Sequence, residues 1–161
     1  MTVGPRIVFT RFASSTSPKL RPWREHVRRV TGTAPDLIGL DGETASVIVW
    51  NLVSANNREL GRGAHIYQRF DDAVLSAERV IADSQELDVV LVSGGADGVY
   101  GWKAAHAGTT EVVCSRWYQT DRDRQHSIAI ALVALRGATL RAGARSNHPS
   151  LMAGERSAFD D

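Results

Sequence analysis

The sequence predicts an α+β fold in which two tandem strand-strand-strand-helix units share one antiparallel sheet and pack their helices on it. The first observation is a repeat, because tryptophan, glutamate and tyrosine recur in the same order, at Trp50, Glu59 and Tyr67 and again at Trp102, Glu111 and Tyr118. The second is that strand-forming residues surround each tryptophan. The third is that apolar residues at helical spacing follow each tyrosine. With 43% hydrophobic residues among 161, the chain can bury the core that such a fold needs.

The first unit is expected to cover residues 34–84. Residues 36–40 and 47–54 predict its first two strands, since β-branched side chains dominate the second of them and polar residues flank it. A weaker third strand at 59–66 follows a turn rich in asparagine, which tolerates positive φ. The unit ends in a helix at about residues 71–82, which has an aspartate at its start and apolar residues every three or four positions.

The second unit, residues 85–138, repeats this order. Its strands are predicted at residues 87–92, 99–105 and 109–117, and a glycine-rich loop joins the first two of them. A helix follows at about residues 120–137, with a threonine or aspartate cap and a glycine at its end.

The flanks of the chain do not share the repeat. Residues 1–33 are predicted to be a basic extension, since seven arginine or lysine residues stand against one glutamate and give a local charge of +6. Within it we expect a short strand at 7–12 and a helix at 23–30. The extension is interpreted either as a solvated arm or as a surface for nucleic acid or an acidic partner. Residues 139–161 lack periodicity and are expected to form a flexible tail.

The repeated pattern resembles the YegP-like family of small domains. The residues that carry the resemblance are Trp50, Leu52, Asn57, Glu59 and Tyr67, then Trp102, Ala104, Gly108, Glu111, Ser115 and Tyr118. It covers about residues 35–137. The resemblance implies that the two units join into one sheet and exchange their C-terminal helices. It implies no established activity, so it bears on fold rather than on function.

Composition argues against several classes of function. Cys114 is the only cysteine, so an intrachain disulfide and a multi-cysteine metal site are excluded, and a reducing cytosol is expected. The five histidines lack ligand spacing, and no nucleophile elbow or phosphate-binding glycine motif occurs. We therefore expect no catalytic residue, cofactor or metal. No signal peptide is visible and the longest uncharged stretch, residues 44–57, is too short for a bilayer, so a cytoplasmic protein without a membrane partner is expected.

One cluster of residues remains as a candidate partner-binding site. Arginines and aromatic residues stand together where a predicted strand leads into a helix, at Arg62 and Tyr67 and at Arg116, Trp117, Tyr118, Arg122 and Arg124. Aromatic residues among arginines can stack on nucleobases or form part of a protein interface. Strand alternation predicts that only one of Trp117 and Tyr118 faces the core.

These observations favour a non-enzymatic interaction module that binds a protein or peptide partner, because an exposed sheet edge can accept an added strand. One alternative is an accessory protein that binds nucleic acid through the N-terminal arginines and the aromatic-arginine junctions. A second alternative is an enzyme whose site lies between the repeats.

Overall fold

The computed structural model describes residues 4–39 and 45–146, and it has the predicted α+β class. Within these ranges, nine strands form one mixed sheet and three α-helices pack on it. The strands are β1 Arg6–Phe12, β2 Leu37–Ile38, β3 Val47–Val53, β4 Glu59–Gly63, β5 Ile66–Tyr67, β6 Asp88–Ser93, β7 Tyr100–His106, β8 Thr109–Val113 and β9 Thr139–Ser146. The helices are α1 Arg21–Thr31, α2 Phe70–Ala82 and α3 Asp121–Arg136. Among the described residues, none of these helices has the length and apolar character needed to cross a bilayer.

Hydrogen bonds place the main strands in the order β9-β1-β3-β4-β8-β7-β6. β5 pairs with β3 beyond the end of β4 and carries β2 at its other side. The pairs β1-β9 and β2-β5 are parallel, and the remaining pairs are antiparallel. The expectation of a wholly antiparallel sheet is therefore corrected, because the chain adds β9 to β1 in the same direction.

The segment expected as a basic N-terminal extension takes part in the fold. β1 lies between β3 and β9, with Ile7 opposite Leu52 and Phe9 opposite Trp50, and both β1 side chains are fully buried. The short expected strand is thus present, but as an inner strand of the sheet. β1 thus takes the position beside β3 that was expected for residues 36–40. Of that expected strand, the structure has only the two-residue strand β2, which pairs with β5.

The segment expected as a flexible tail begins with a strand of the sheet. β9 covers residues 139–146 and pairs with β1 along its length, with a register shift near the middle. Its small side chain Ala144 is buried opposite Phe9. The rest of the expected tail, residues 147–161, lies outside the described residues.

Helices cover both faces of the sheet. Trp102 of β7 donates its indole N–H to the Ser127 hydroxyl of α3, 3.0 Å away, so it points to the α3 face. The neighbouring Gly101 approaches the ring of Trp117, which in turn contacts His26 of α1. Since successive strand residues point to opposite faces, α1 and α3 lie on opposite sides of the sheet. The helix α2 lies on the α3 side, where the two helices touch.

The third predicted strand of the first unit is interrupted. β4 ends at Gly63, and β5 resumes only at Ile66. A Cβ added at Gly63 would lie 2.6 Å from the Trp50 ring, so this glycine allows the large buried ring to pack directly on the backbone. A register shift between Leu52 and Val53 adds a further irregularity to the pairing of β3 with β4.

Candidate functional site

The predicted aromatic-arginine junction is largely internal. Arg124 is buried, and its guanidinium binds the Asp121 carboxylate and donates to the carbonyl oxygens of Val92 at 3.2 Å and Gly101 at 3.4 Å. The same guanidinium stacks over the Tyr100 ring at 5.0 Å from its centroid. Hydrogen bonding to Arg124 lowers the pKa of Asp121. Arg124 therefore ties α3 to β6 and β7, and its charge is used within the fold.

Neither aromatic residue of the junction is presented to a partner. Tyr118 is buried, and its hydroxyl accepts a hydrogen bond from Ser127 at 2.7 Å. Trp117 is half-buried on the opposite side, with the His26 ring 6.1 Å away and the Arg29 guanidinium 5.3 Å from its centroid. The two rings do point to opposite faces of the sheet, as alternation predicts, but neither face is open, because α1 covers the side on which Trp117 lies.

Two arginines of the junction are exposed. Arg116 is exposed, with its guanidinium 5.4 Å from the Tyr118 ring centroid. Arg122 is exposed in the first turn of α3. These two charges stand without the exposed aromatic ring that the predicted stacking site required.

The two residues expected as counterparts of this junction, Arg62 and Tyr67, point to different faces of the sheet. Tyr67 lies opposite Ile48 and is buried against α2, where its hydroxyl hydrogen bonds to Ser76. Burial raises the pKa of Tyr67 to about 12, so its phenol stays protonated at neutral pH. Arg62 lies opposite Asn51 on the other face and pairs with the Glu59 carboxylate at 2.9 Å. The structure therefore does not bring Arg62 and Tyr67 together in one surface.

A polar cluster lies under α1 instead. The Nε2–H of His26 donates to the carbonyl oxygen of Cys114 at 2.7 Å. Burial lowers the pKa of His26, partly opposed by that hydrogen bond, and the positive charge of Arg62 lowers it further. Burial also raises the pKa of the Cys114 thiol to about 11, so at neutral pH it is neither a thiolate nucleophile nor a ready metal ligand.

One group of side chains has the composition of a metal site. Ligand atoms of Asp83, Glu86 and His106 all lie within 4.8 Å of one another. However, Nδ1 of His106 faces Asp83 at 3.8 Å while Nε2 faces Glu86 at 3.3 Å. A single ion would have to use one ring nitrogen and both carboxylates, so this arrangement fits a histidine ring held between two carboxylates better than a shared cation.

The surface with the clearest binding chemistry is the edge strand β6. Among the described residues, β6 pairs only with β7. Tyr100 exchanges both backbone hydrogen bonds with Tyr118, at 2.8 Å each, so its β6 partner Ser93 forms a non-hydrogen-bonded pair. Alternation along the strand then directs the N–H and C=O groups of Val89, Leu91 and Ser93 away from β7.

The side chains of β6 add apolar surface to this edge. Val90 is 43% exposed on the α1 face and Leu91 is 50% exposed on the α3 face, where it lies opposite Trp102. Sheet edges in natural proteins are commonly protected by lysine, proline or bulges. β6 has none of these, and its single charge is Asp88 at the first position. The strand therefore offers a continuous row of backbone donors and acceptors flanked by apolar side chains.

Within the described residues, these features define an α+β protein with helices on both faces of one sheet and an open, apolar strand edge at β6. The UPF0339 protein of Shewanella oneidensis has 10% sequence identity and a TM-score of 0.51, and the match covers 96% of this chain and 97% of that one. The yegP protein of E. coli, described as of unknown function, has 13% identity and a TM-score of 0.49 over 89% of this chain and 94% of that one. No protein-family model matches the sequence, and no curated protein matches it. The Shewanella structure supports the YegP-like fold that the sequence resemblance implied.

Proposed function

We propose that this protein is a non-enzymatic interaction module that binds an extended peptide segment of another protein as an added strand along β6. The observation that carries the proposal is the row of outward backbone groups at Val89, Leu91 and Ser93. An extended peptide supplies the complementary acceptors and donors, and main-chain hydrogen bonds of this kind provide affinity with little demand on sequence.

An internal comparison supports the choice of this edge. We take β1-β3-β4-α2 and β6-β7-β8-α3 as two copies of one strand-strand-strand-helix unit, joined where β4 pairs with β8. β1 then corresponds to β6. Phe9 lies opposite Trp50 as Leu91 lies opposite Trp102, and this shared pairing supports the proposed correspondence of the two units.

The two corresponding strands differ in what covers them. β9 pairs with the outer edge of β1, and Phe9 there is fully buried. Leu91 occupies the corresponding place on β6 and is half exposed. In this chain, β9 is therefore already an added strand on β1, whereas the corresponding edge of β6 has none among the described residues. A peptide along β6 would occupy the place that β9 has beside β1, and it would run parallel to β6 as β9 runs parallel to β1.

Specificity would come from the side chains that flank the edge. A bound strand alternates its side chains between the two faces of the sheet. On the α3 face an apolar peptide residue would cover Leu91, and on the α1 face another would cover Val90. The proposed ligand is therefore an extended segment rich in β-branched or other apolar residues.

The test selects displayed random peptides on the immobilised full chain and measures the selected peptides by fluorescence anisotropy. Leu91→Pro removes one outward N–H while leaving the bonds to β7, because proline is tolerated on the solvent side of an edge strand. We expect it to weaken peptide binding by about tenfold or more, the equivalent of one lost backbone hydrogen bond in a desolvated interface. Leu75→Lys is a surface control, since Leu75 is also an exposed leucine and belongs to α2, outside β6.

Two outcomes would reject this proposal. The first is that the selected peptides bind Leu91→Pro as tightly as the native chain. The second is that the chain dimerises in sedimentation experiments, that Leu91→Pro abolishes the dimer and that no peptide competes with it. A second copy of the chain would then be the occupant of the edge.

A further inference from the structure

The geometry points to a second, separate binding site: a basic cleft beside α1 that takes a phosphate group. The cleft has a volume of about 350 Å³ and is bounded by α1 and the loops before and after it. Its lining residues are mainly polar or charged, namely Thr16, Ser17, Arg21, Arg24, Glu25, Arg28, Ala34 and Pro35. None of these residues belongs to β6, so the site is independent of the proposed peptide edge.

The helix itself brings three guanidinium groups to this cleft. Arg21, Arg24 and Arg28 are three and four residues apart, which places them on one face of α1 within an arc of about 60°. The opposite face of α1 carries Trp23 and Val27, which are buried against the sheet. Burial of the apolar face thus fixes the direction in which the three arginines point.

The charges of the cleft are not balanced within it. Three arginines stand against the single carboxylate of Glu25, which pairs with Arg28 at 3.3 Å, and the lining therefore carries a net charge of +2. Arg24 donates from Nη1 to the Ser15 carbonyl oxygen at 2.8 Å. That bond uses one of the five N–H donors of the guanidinium and holds the group in place. Like charges on neighbouring arginines repel one another, and a bound anion relieves that repulsion.

A phosphate group is the anion that these side chains suit best. Guanidinium groups bind phosphate with paired, charge-assisted hydrogen bonds, and three of them can surround its oxygens. Thr16 and Ser17 line the same cleft, and hydroxyl-bearing residues there are compatible with a bound phosphate. The volume admits a diphosphate or the phosphate end of a larger molecule. Both a free phosphorylated compound and the backbone of a single-stranded nucleic acid carry this chemistry.

The experiment uses the full chain and two probes, inorganic pyrophosphate and a short single-stranded DNA. Binding is followed by amide NMR shifts and by calorimetry at low ionic strength, with sodium chloride at matched ionic strength as the reference. We expect saturable pyrophosphate shifts centred on residues 16–28. The double substitution Arg24→Gln with Arg28→Gln should weaken binding by about a hundredfold, or about tenfold for each lost charge-assisted contact. Arg122→Gln, an exposed arginine on α3, is the matched control and should leave binding unchanged.

The DNA arm distinguishes the two sources of the phosphate. If the DNA binds, is displaced by pyrophosphate and weakens steeply with salt, the phosphate belongs to a nucleic-acid backbone. If pyrophosphate binds and the DNA does not, the ligand is a free phosphorylated compound. The proposal is overturned if pyrophosphate causes no shifts beyond those of sodium chloride. It is equally overturned if Arg122→Gln weakens binding as much as the double substitution does.

Discussion

Ser127 on α3 donates its hydroxyl to Tyr118, nine residues earlier in the chain, across a distance of 2.7 Å inside the protein. The same serine oxygen accepts the indole N–H of Trp102 at 3.0 Å. A second tyrosine-serine pair, Tyr67 and Ser76, has the same spacing of nine residues and joins β5 to α2. In each half of the described chain, one tyrosine-serine hydroxyl pair therefore fixes a helix to the sheet that precedes it.

Removing the Ser127 hydroxyl should destabilise the protein measurably. Ser127→Ala leaves the Trp102 indole N–H and the Tyr118 hydroxyl without their shared partner, and an unsatisfied buried polar group costs about 1–3 kcal/mol. Urea denaturation gives the free energy of unfolding. Ser93→Ala on the exposed edge is the control and should change it by less than about 0.5 kcal/mol. Equal effects of the two substitutions would mean that the buried network contributes nothing.

The two repeated tryptophans should make similar contributions to stability. Trp50 and Trp102 are both almost fully buried, on central strands of the sheet. Trp50→Ala and Trp102→Ala should each lower the free energy of unfolding by about 3–5 kcal/mol, because each leaves a large cavity. Denaturant melts test this, with Leu75→Ala on the surface of α2 as control. A loss below about 1 kcal/mol at either position would show that this tryptophan is not needed for core packing.

Several elements could be predicted because their evidence is local. The β-branched residues of β3 and β6 and the helical spacing in α2 and α3 mark those elements without reference to the rest of the chain. In each case the signal lies within a few residues of the feature that it specifies.

The remaining features depend on contacts between distant residues. β1 pairs with β3 although α1 separates the two strands in the chain. The number of basic residues among the first 33 therefore gave no sign that Ile7 and Phe9 are buried. The parallel β9 is a still longer-range pairing. Arg124 was expected at a surface, and it is buried because Asp121 and two backbone carbonyl groups compensate its charge. The open edge at β6 follows from which strands find partners, which the strand pattern alone does not reveal.

Because β1 is an inner strand of the sheet, removing the N-terminal segment should disrupt the fold. Deleting residues 1–12 removes the strand between β3 and β9 and exposes the inner edges of both. We expect the truncated chain to lose cooperative thermal unfolding by circular dichroism. Deleting residues 1–4 is the control, since β1 and its contacts remain. A truncated chain that still melts cooperatively near the native temperature would show that β1 is dispensable.

Acid should destabilise the fold through His26. Its pKa is lowered from 6.5 in the folded state, mainly by burial, so the unfolded chain binds the proton more readily. The free energy of unfolding should therefore fall as the pH drops below about 6.5, by at most about 1.4 kcal/mol per pH unit. Above that pH both states are neutral at this side chain and its contribution stays constant. His26→Gln keeps a donor for the Cys114 carbonyl oxygen and should flatten the dependence.

The control for this titration is His126→Gln, which changes an exposed histidine on α3. Chemical denaturation at several pH values between 5 and 8 supplies the comparison. If the native chain and His26→Gln show the same slope, the acid sensitivity arises from other groups and the buried imidazole does not contribute to it.

The backbone of β6 should show an alternating pattern of amide exchange in the free protein. The amides of Val90 and Val92 are directed to β7 and should exchange slowly, since opening them requires the strand pair to separate. The amides of Val89, Leu91 and Ser93 point outward and should exchange close to the rate of an unstructured chain. Exchange measured residue by residue with NMR gives both sets in one experiment, and the inward amides of the same strand serve as the control.

Slow exchange at the outward positions that persists on dilution would mean that a segment of the chain itself covers this edge. Slow exchange that disappears on dilution would assign the cover to a second copy. Fast exchange that becomes slow only when a selected peptide is added is the result that strand addition at β6 requires.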